Sequence, residues 1–592
     1  MSAIAPAADE VSAPPAAEPA EPAPARRWRT DLVVYAAFVL LAIFLLRHLW
    51  RDPAGVVPDE NQSDPMFFEF ALNHAVRIFT HGENPLFSPQ VNAPLGVSMV
   101  ANTGALGLTV PLVPVTALFG APVALLVMLT LGIAATAGAW YHVLSRHVVT
   151  SRTAAIVGGA FCGFAPGIVN HLNMHPNLVA QFLIPFILWR ALELRNPGPV
   201  LRRGVILGLL VVWQAFLNEE LLFLYALAAL VFVAVYGLFR PQVVRAGARP
   251  MLRGLTVAAV IAGILLVYPL WYQFLGPQHY KGLPGWVLDY GTDAAEYYSF
   301  AKLSLVHGDG SLGRLPEQNT FFGWPLLLLL VAGTVWLWRR VEVRALAVVA
   351  LVFGVLSLGR VAEWDHHKVL RRAPWELVNG LPLFDSVVPV RLGLIVVPIL
   401  GILLALLLAH ALSRPAPVSH AWVAAFAVAL VVIFPQSLPV VPRTPVPYFF
   451  TSGDWRGYVP DGASVVNADT TVWNGGINAM AWTNEQKLAF RVTGGYFLGP
   501  HQGDAGEYGT VNRPTAQILY DIVYGAAPPA QVTPEQRAQA VEDIRFWRAA
   551  VIVLAPGTSH HDELAAALTQ LVGPGQEVDD VLLWDVRSIS GV

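Results

Sequence analysis

The chain has 592 residues, of which 55% are hydrophobic and only 13% are charged. Soluble globular proteins carry about 25% charged residues. The mean hydropathy of +0.54 means that the chain has more apolar residues than one soluble domain can bury. The net charge of −3 comes without a basic stripe, which gives no reason to expect a nucleic-acid partner. The composition therefore indicates an integral membrane protein.

The N-terminal segment differs from the rest of the chain. Residues 1–30 are rich in Ala, Pro and Glu and have too few large apolar side chains for a core, so we predict a disordered cytoplasmic tail. Arg26, Arg27 and Arg29 directly precede the first apolar stretch. That stretch is too long for a signal peptide and has no small-residue cleavage site, so we interpret it as an uncleaved anchor with its N-terminus inside.

One apolar segment, 103–120, decides the direction of every later crossing. It contains Pro111, Pro114 and three glycines and is barely long enough to span a bilayer. If it is interfacial or re-entrant, most arginine-rich short loops lie inside, as the positive-inside rule requires. We therefore expect eleven spans, near 32–50, 122–144, 153–170, 177–193, 204–218, 221–239, 254–274, 322–338, 345–358, 389–411 and 420–437.

This map divides the chain into a transmembrane domain, 31–437, and a region outside the membrane, 438–592. Three long outer loops belong to the first part: 51–121, 275–321 and 359–388. In the second part, strand patterns alternate with helical patterns, which predicts a small extracytoplasmic α/β domain. The predicted strands are Ser464–Asn467, Ala550–Ala555 and Val581–Val586, and the predicted helices are Pro514–Tyr524, Pro534–Arg548 and His561–Val572. Thr533 before Pro534 is a typical N-cap.

The first outer loop carries three carboxylates within six residues, Asp59, Glu60 and Asp64, followed by the amphipathic segment 66–80. Such a group beside the membrane can supply a general base or bind a hard cation. The alternative is an ordinary solvated acidic loop.

Two further groups of polar residues fall at the predicted outer surface. Glu219 and Glu220 lie between two spans, where burying an unpaired carboxylate costs roughly 2–3 kcal/mol. They therefore predict either a polar cavity or a tight turn in water. His171 and His175 have a spacing that suits a metal on one helix face, but Pro176 favours a loop, so we assign no metal to them.

Six short motifs carry a resemblance: Ser63-Asp64-Pro65, His81-Gly82-Glu83-Asn84-Pro85, Asn92-Ala93-Pro94-Leu95-Gly96, Gly276-Pro277-Gln278, Thr292-Asp293 and Val390-Arg391-Leu392. With the predicted topology, they resemble the GT-C glycosyltransferase superfamily and, within it, a group of predicted bacterial membrane proteins. The resemblance covers most of residues 30–450. It implies a polytopic α-helical, GT-C-like fold with about eleven transmembrane helices, in the bacterial cytoplasmic membrane.

The resemblance also implies an activity. GT-C enzymes transfer a sugar from a polyprenyl-phosphate donor, so a hexose or pentose would pass to a cell-envelope glycan, lipid or protein, with inversion at the anomeric carbon. By position, Asp64 would be the base, with Asp59 and Glu60 as rivals. Arg391 would neutralise the leaving phosphate, unless it only snorkels to the interface. A divalent cation stays open as a cofactor. The remaining substrate-binding candidates are Glu219, Glu220, His171, His175, Gln278, Asp293, His81 and Asn84.

Two other functions are alternatives. A transporter or flippase of lipid-linked glycans needs polar residues at mid-depth in several spans or inverted repeats around broken helices, and the predicted spans are nearly free of ionisable residues at their centres. A non-catalytic scaffold that binds cell-wall polymer would not need the acidic motifs of the first outer loop.

Overall fold

The computed structural model describes residues 24–308, 310–313, 317–525 and 531–592, with side chains from residue 28 onward. Residues 1–23 of the predicted disordered tail therefore lie outside the described residues, and the first helix begins at Pro24. The helices up to residue 431 are α1 (Pro24–Leu45), α2 (Arg47–Arg51), α3 (Asp64–His81), α4 (Leu106–Thr109), α5 (Val113–Phe119), α6 (Ala121–Val143), α7 (Arg152–Phe164), α8 (Pro166–Asn170), α9 (Pro176–Val179), α10 (Ile184–Glu193), α11 (Val200–Leu217), α12 (Glu219–Phe239), α13 (Pro241–Leu275), α14 (Gly285–Leu288), α15 (Trp324–Trp336), α16 (Val341–Leu356), α17 (Leu392–Leu412) and α18 (Val418–Val431).

The helices confirm a multi-pass membrane protein. Within the described residues, seven helical segments are long and apolar enough to cross a membrane, and each of the eleven predicted spans overlaps a helix. The predicted spans 322–338, 345–358 and 420–437 contain the short helices α15, α16 and α18. The number eleven therefore stays a prediction.

The predicted span 177–193 is interrupted. Helix α9 ends at Val179 and α10 begins at Ile184. The Thr136 hydroxyl donates to the Val179 carbonyl (2.8 Å) and accepts from the Gln181 amide (2.9 Å). Unpaired backbone groups are costly in apolar surroundings that hold no water. The Thr136 hydroxyl satisfies two backbone groups at the break and thereby stabilises the interrupted helix inside the bundle.

The segment 103–120 forms the two short helices α4 and α5 and no span-length helix. A Cβ atom at Gly107 would lie 2.4 Å from the Leu217 side chain, so only glycine permits the close approach of α4 to α11. The Trp213 indole also donates to the Gly107 carbonyl (3.1 Å). These contacts are consistent with the predicted re-entrant or interfacial segment.

Strands occur in both parts of the chain: β1 (Val56–Pro58), β2 (Phe87–Ser88), β3 (Val97–Ser98), β4 (Ala362–Trp364), β5 (His367–Leu370), β6 (Val440–Pro442), β7 (Ser464–Asn467), β8 (Arg491–Val492), β9 (Leu498–Pro500), β10 (Gly506–Tyr508), β11 (Ala549–Leu554), β12 (Gln576–Val578) and β13 (Val581–Asp585). The C-terminal helices are α19 (Tyr448–Ser452), α20 (Ile477–Glu485), α21 (Pro514–Val523), α22 (Pro534–Trp547), α23 (His561–Val572) and α24 (Arg587–Ser590).

The C-terminal region is an α/β unit, as predicted. Its main sheet has the strand order β12-β13-β11-β7-β8, with β11 parallel to β7 and antiparallel to β13. Thr533 and Gln536 form a capping box at the start of α22. The three predicted strands and three predicted helices agree with β7, β11, β13, α21, α22 and α23 to within a residue or two.

The first outer loop packs into this unit and does not lie free on the membrane. Strand β1 pairs with β6, and the Val492 amide and carbonyl bind Gln90 and Ala93 at the edge of the sheet. The first half of α3 is buried, and Phe70 shares one hydrophobic core with Phe450 of the C-terminal region. The loop thus joins the membrane helices to the C-terminal unit.

A buried ion pair fastens this junction. The Arg443 guanidinium donates two hydrogen bonds to the Glu69 carboxylate, at 2.7 and 2.9 Å. The Glu69 side chain is only 4% exposed, so removal of Arg443 would leave an unpaired buried charge.

We expect Arg443→Ala to lower the unfolding free energy by about 3–5 kcal/mol, the usual effect of breaking a buried pair from one side. Thermal denaturation and limited proteolysis in detergent would measure the loss. Lys281→Ala is the matched control, because Lys281 and Asp504 form an exposed pair, worth about 0–1 kcal/mol. Equal stability of Arg443→Ala and wild type would contradict this role.

Candidate active site

Asp64 is the first residue of α3 and lies where the first outer loop meets both the membrane helices and the C-terminal unit. Its carboxylate accepts hydrogen bonds from Asn61 Nδ2 (2.6 Å) and from the Tyr496 hydroxyl (2.9 Å). His175 Nε2 lies 2.7 Å from Asp64 Oδ2. Three separate parts of the chain therefore supply its partners.

Asp64 is held as a carboxylate. Burial acts to raise its pKa, but the charge and hydrogen bond of His175, with the bonds from Asn61 and Tyr496, outweigh burial and lower the pKa below its usual value. Burial and the charge of Asp64 raise the pKa of the Tyr496 phenol, so this hydroxyl keeps its proton and donates. The site is ionised at neutral pH.

The two histidines extend the site inward. His175 Nδ1 lies 2.8 Å from His171 Nδ1, and His171 Nε2 lies 2.5 Å from Asn319 Oδ1. Asn319 Nδ2 donates to the Val390 carbonyl, which fixes its oxygen towards His171. Burial first, and then neighbouring positive charges, lower the pKa of His171 to about 3, so this ring is neutral.

These partners fix the ring protons. Neutral His171 donates from Nε2 to Asn319 and accepts at Nδ1, so His175 donates from Nδ1. His175 also faces the Asp64 carboxylate through Nε2, and a carboxylate only accepts hydrogen bonds. In this arrangement His175 donates from both ring nitrogens, to His171 through Nδ1 and to the Asp64 carboxylate through Nε2.

A second ion-pair group lies beyond Asn319. The Arg391 guanidinium donates to Glu317 through Nε (3.0 Å) and Nη2 (2.5 Å) and to Glu220 through Nη1 (2.6 Å). Asn319 Nδ2 also lies 3.4 Å from Glu317 Oε2. Hydrogen bonds therefore run without a gap from Tyr496 to Glu220. Both edges of Arg391 are occupied, so a phosphate at this residue would have to displace Glu220 or Glu317.

The other two carboxylates of the first loop face a cavity of about 340 Å³ between that loop and the C-terminal unit. Glu60 pairs with Lys302 (2.8 Å) and accepts from Asn173 Nδ2 (3.4 Å). Asp59 is exposed. The lining residues are Asp59, Glu60, Gln62, Ser63, Thr444, Trp473, Asn474, Ile477 and Asn478.

Two predicted binding residues lie away from this network. Helix α3 has 18 residues, so His81 at its end lies roughly 25 Å from Asp64. Asn84 follows, and its side chain accepts from the Leu86 amide. The neighbouring Glu83 accepts from Arg77 and Gln90, so this motif closes the turn after α3.

Three more predicted residues make separate contacts. Gln278 accepts weakly from Asn92 Nδ2 (3.4 Å), and Glu219 accepts from Gln273 (2.9 Å). The Asp293 carboxylate caps the short helix Ala294–Tyr297 and accepts from the amides of Asp365 and His366. Asp293 thereby joins the second and third outer loops, and its oxygens are occupied by backbone amides.

The sequence did not single out Tyr496, Glu317 or Asn319. Tyr496 lies 432 residues from Asp64 in the chain, and no local motif marks it. The sequence could have indicated Glu317, because this carboxylate lies shortly before a predicted span at the outer membrane surface, as Glu220 does. Asn61 and Asn173 also lie in predicted outer loops, where an asparagine by itself predicts no role.

Among the described residues, no group of three or more His, Cys, Asp or Glu side chains is arranged to hold a metal ion. The divalent cation that the sequence left open has no preformed site in this part of the chain.

Solved structures of other proteins are similar to this one in fold. The arabinofuranosyltransferase AftD from mycobacteria superposes with a TM-score of 0.56 at 16% identity, over 95% of this chain and 40% of the AftD chain. The chain has the GT-C fold. The archaeal oligosaccharyltransferase AglB from Archaeoglobus fulgidus gives a TM-score of 0.47 at 13% identity, over 89% of this chain and 70% of AglB. ArnT from Cupriavidus metallidurans gives 0.40 at 12%, over 95% and 98%.

One family model matches part of the chain. The profile of a family described as "Family of unknown function (DUF6541)" matches residues 95–375. No curated protein matches the chain. The matched segment includes the histidine pair and Glu317. It does not include Arg391 or the three carboxylates of the first outer loop, Asp59, Glu60 and Asp64.

A buried acid in the second outer loop gives a pH prediction. Burial, aided by the charge of Asp293, raises the pKa of Glu296 to about 8. The folded state therefore binds this proton more tightly than the unfolded chain does. The resulting stability is complete below about pH 4.5 and is lost as the pH rises through about 8.

Glu296→Gln should remove this dependence, so its melting temperature in detergent should fall less than that of wild type between pH 6 and pH 8.5. The amide oxygen still accepts the Asp293 amide bond that Glu296 accepts at 2.9 Å. Glu376→Gln is the control, since Glu376 is partly exposed and paired with Arg360. Identical pH profiles for Glu296→Gln and wild type would disprove the assignment.

Proposed function

We propose that this protein transfers a sugar from a polyprenyl-phosphate donor to a cell-envelope acceptor outside the cytoplasmic membrane. The observation that carries the proposal is the ionised Asp64 of the first outer loop, whose side chain is only 17% exposed, held beside a polar cavity within a GT-C fold. Energy is needed to keep a carboxylate charged away from water, and an ionised group in such a place is typical of a catalytic site.

Asp64 is the base in this mechanism. An acceptor hydroxyl takes the place of the Tyr496 hydroxyl at Asp64 Oδ1, from which Tyr496 lies 2.9 Å. As the acceptor oxygen bonds to the anomeric carbon, its proton passes to Asp64. The bond from the anomeric carbon to the phosphate oxygen breaks, and its electron pair leaves with the phosphate.

His175 has a supporting part in this step. Its two ring protons hold Asp64 in one orientation through Nε2 and link it to His171 through Nδ1. As a positioning residue, it keeps one carboxylate oxygen occupied and leaves the other for the acceptor. Orientation of this kind is a large part of enzymatic rate enhancement.

Arg391 is the candidate for the leaving phosphate. It lies at the start of an apolar span, Pro389–Leu412, and its planar guanidinium matches the geometry of phosphate oxygens. Two carboxylates share its charge. A phosphate that binds here therefore has to replace the Glu220 or the Glu317 bond, and the replaced carboxylate has to take up a proton or a new partner.

Asp64→Asn tests the mechanism. The variant keeps the size of the side chain but cannot take a proton, so transfer should fall by about 10²–10⁴-fold. The measurement is release of polyprenyl phosphate, and labelling of cell-envelope acceptor, from radiolabelled polyprenyl-phosphate pentoses and hexoses. Expression and membrane insertion should persist.

The matched controls are Asp59→Asn and Glu60→Gln in the same loop. If Asp64→Asn transfers normally while one of these fails, the base is one of the earlier pair. If wild type consumes no lipid-linked sugar, or all three variants keep full transfer, the proposed function is wrong.

A further inference from the structure

A group of aromatic side chains lies open to solvent beside the cavity. Trp286 of the second outer loop and Trp473 of the C-terminal unit are 44% and 41% exposed, although tryptophan is usually well buried. Their ring centroids lie 6.2 Å apart, and both contact the ring of Tyr508, at 5.7 and 5.2 Å. Tyr496 stacks on Tyr508 at 5.3 Å.

The cavity next to this group is polar. Trp473 forms one wall, and amide and hydroxyl side chains, such as those of Asn474, Asn478 and Gln62, supply much of the rest. Its volume of about 340 Å³ falls in the range of small-molecule sites. One flat apolar ring among many hydrogen-bonding groups suits a sugar, which has an apolar C–H face and a rim of hydroxyls.

The charges in the cavity decide which part of the reaction it serves. The two carboxylates Asp59 and Glu60 line it, and the single positive charge of Lys302 forms an ion pair with Glu60. The net negative charge repels the phosphate of a lipid-linked donor, while carboxylates accept bonds from neutral hydroxyls. The cavity therefore favours an uncharged acceptor.

The aromatic rings connect the cavity to the base. The Trp473 ring lies 5.6 Å from that of Tyr496, and the Tyr496 hydroxyl binds Asp64. A sugar stacked on Trp473 therefore lies one aromatic ring away from the Asp64 carboxylate, near enough for the next unit of a glycan to present its hydroxyl there.

We propose that Trp473 and this cavity bind a neutral sugar unit of a glycan, so that the acceptor is a carbohydrate chain. The role of this sugar as the acceptor rests on the proposed function. Its binding to the cavity does not depend on sugar transfer. A peptide or lipid acceptor would not need a ring beside so many hydroxyl-binding groups.

The test is direct binding without any donor. The full chain in detergent would be titrated with neutral mannose, glucose, galactose and arabinose oligosaccharides, with tryptophan fluorescence and calorimetry as readouts. At least one series should bind, and Trp473→Ala should bind it about tenfold more weakly or worse, since a stacked ring contributes on this scale. Trp473→Phe should retain most of the affinity, and Asn478→Ala should also weaken binding. A sugar phosphate of the same series should bind less well than the neutral sugar.

Trp364→Ala is the matched control, because Trp364 is another exposed tryptophan of the outer loops, 50% exposed, and does not line the cavity. It should bind as wild type does. If no neutral saccharide binds wild type, or if Trp473→Ala and Asn478→Ala bind unchanged, the inference is wrong. Saccharide binding that is lost in Trp473→Ala, in a protein that consumes no lipid-linked sugar, would refute the proposed function and leave the sugar site standing.

Discussion

An ionised carboxylate away from bulk water needs partners, and Asp64 obtains them from distant parts of the chain. Asn61 comes from the same loop, His175 from the turn after α8, and Tyr496 from the C-terminal unit. An unpaired buried charge would cost several kcal/mol, so the helix bundle, the first loop and the C-terminal unit have to assemble in one arrangement. The position of Asp64 also fixes the rest of the site, because His175 is hydrogen-bonded to His171 and His171 to Asn319.

The C-terminal unit is therefore part of the site and not an appended module. Its Tyr496 hydroxyl donates a hydrogen bond to Asp64, and its Trp473 and two asparagines form part of the cavity wall. Phe70 of the first loop packs into its hydrophobic core. The Arg443–Glu69 pair fixes this docking within a few residues of Asp64. A change in the docking of the unit would alter the surroundings of Asp64 and the cavity together.

Local patterns in the sequence predicted local structure well. Thr533 followed by Pro534 predicted the start of α22, and the apolar run Ala550–Ala555 predicted a strand, which the structure places at Ala549–Leu554. Glu220 is predicted because burying a carboxylate between two spans is costly, and His171 and His175 because of their spacing. Asp64 and Arg391 are predicted from the resemblance of their motifs to the GT-C superfamily. Tyr496 and Asn319 could not be predicted, since a tyrosine or asparagine in a loop is ordinary until folding places it beside a charge. The resemblance made Asp293 a substrate-binding candidate, but its oxygens bind backbone amides, and no pattern in the sequence distinguishes such a carboxylate from one in a ligand site.

The central claim is that the lipid phosphate and the acceptor meet at Asp64. An experimental structure of the full chain with a bound polyprenyl-phosphate sugar tests it most directly. The account predicts that the anomeric carbon lies within about 4 Å of the place now held by the Tyr496 hydroxyl, a separation near that of an attack-ready conformer, with the phosphate on the Arg391 side and away from Asp59 and Glu60. A phosphate bound elsewhere, with the Asp64–His175 pair and the Tyr496 bond far from the sugar, would contradict the account.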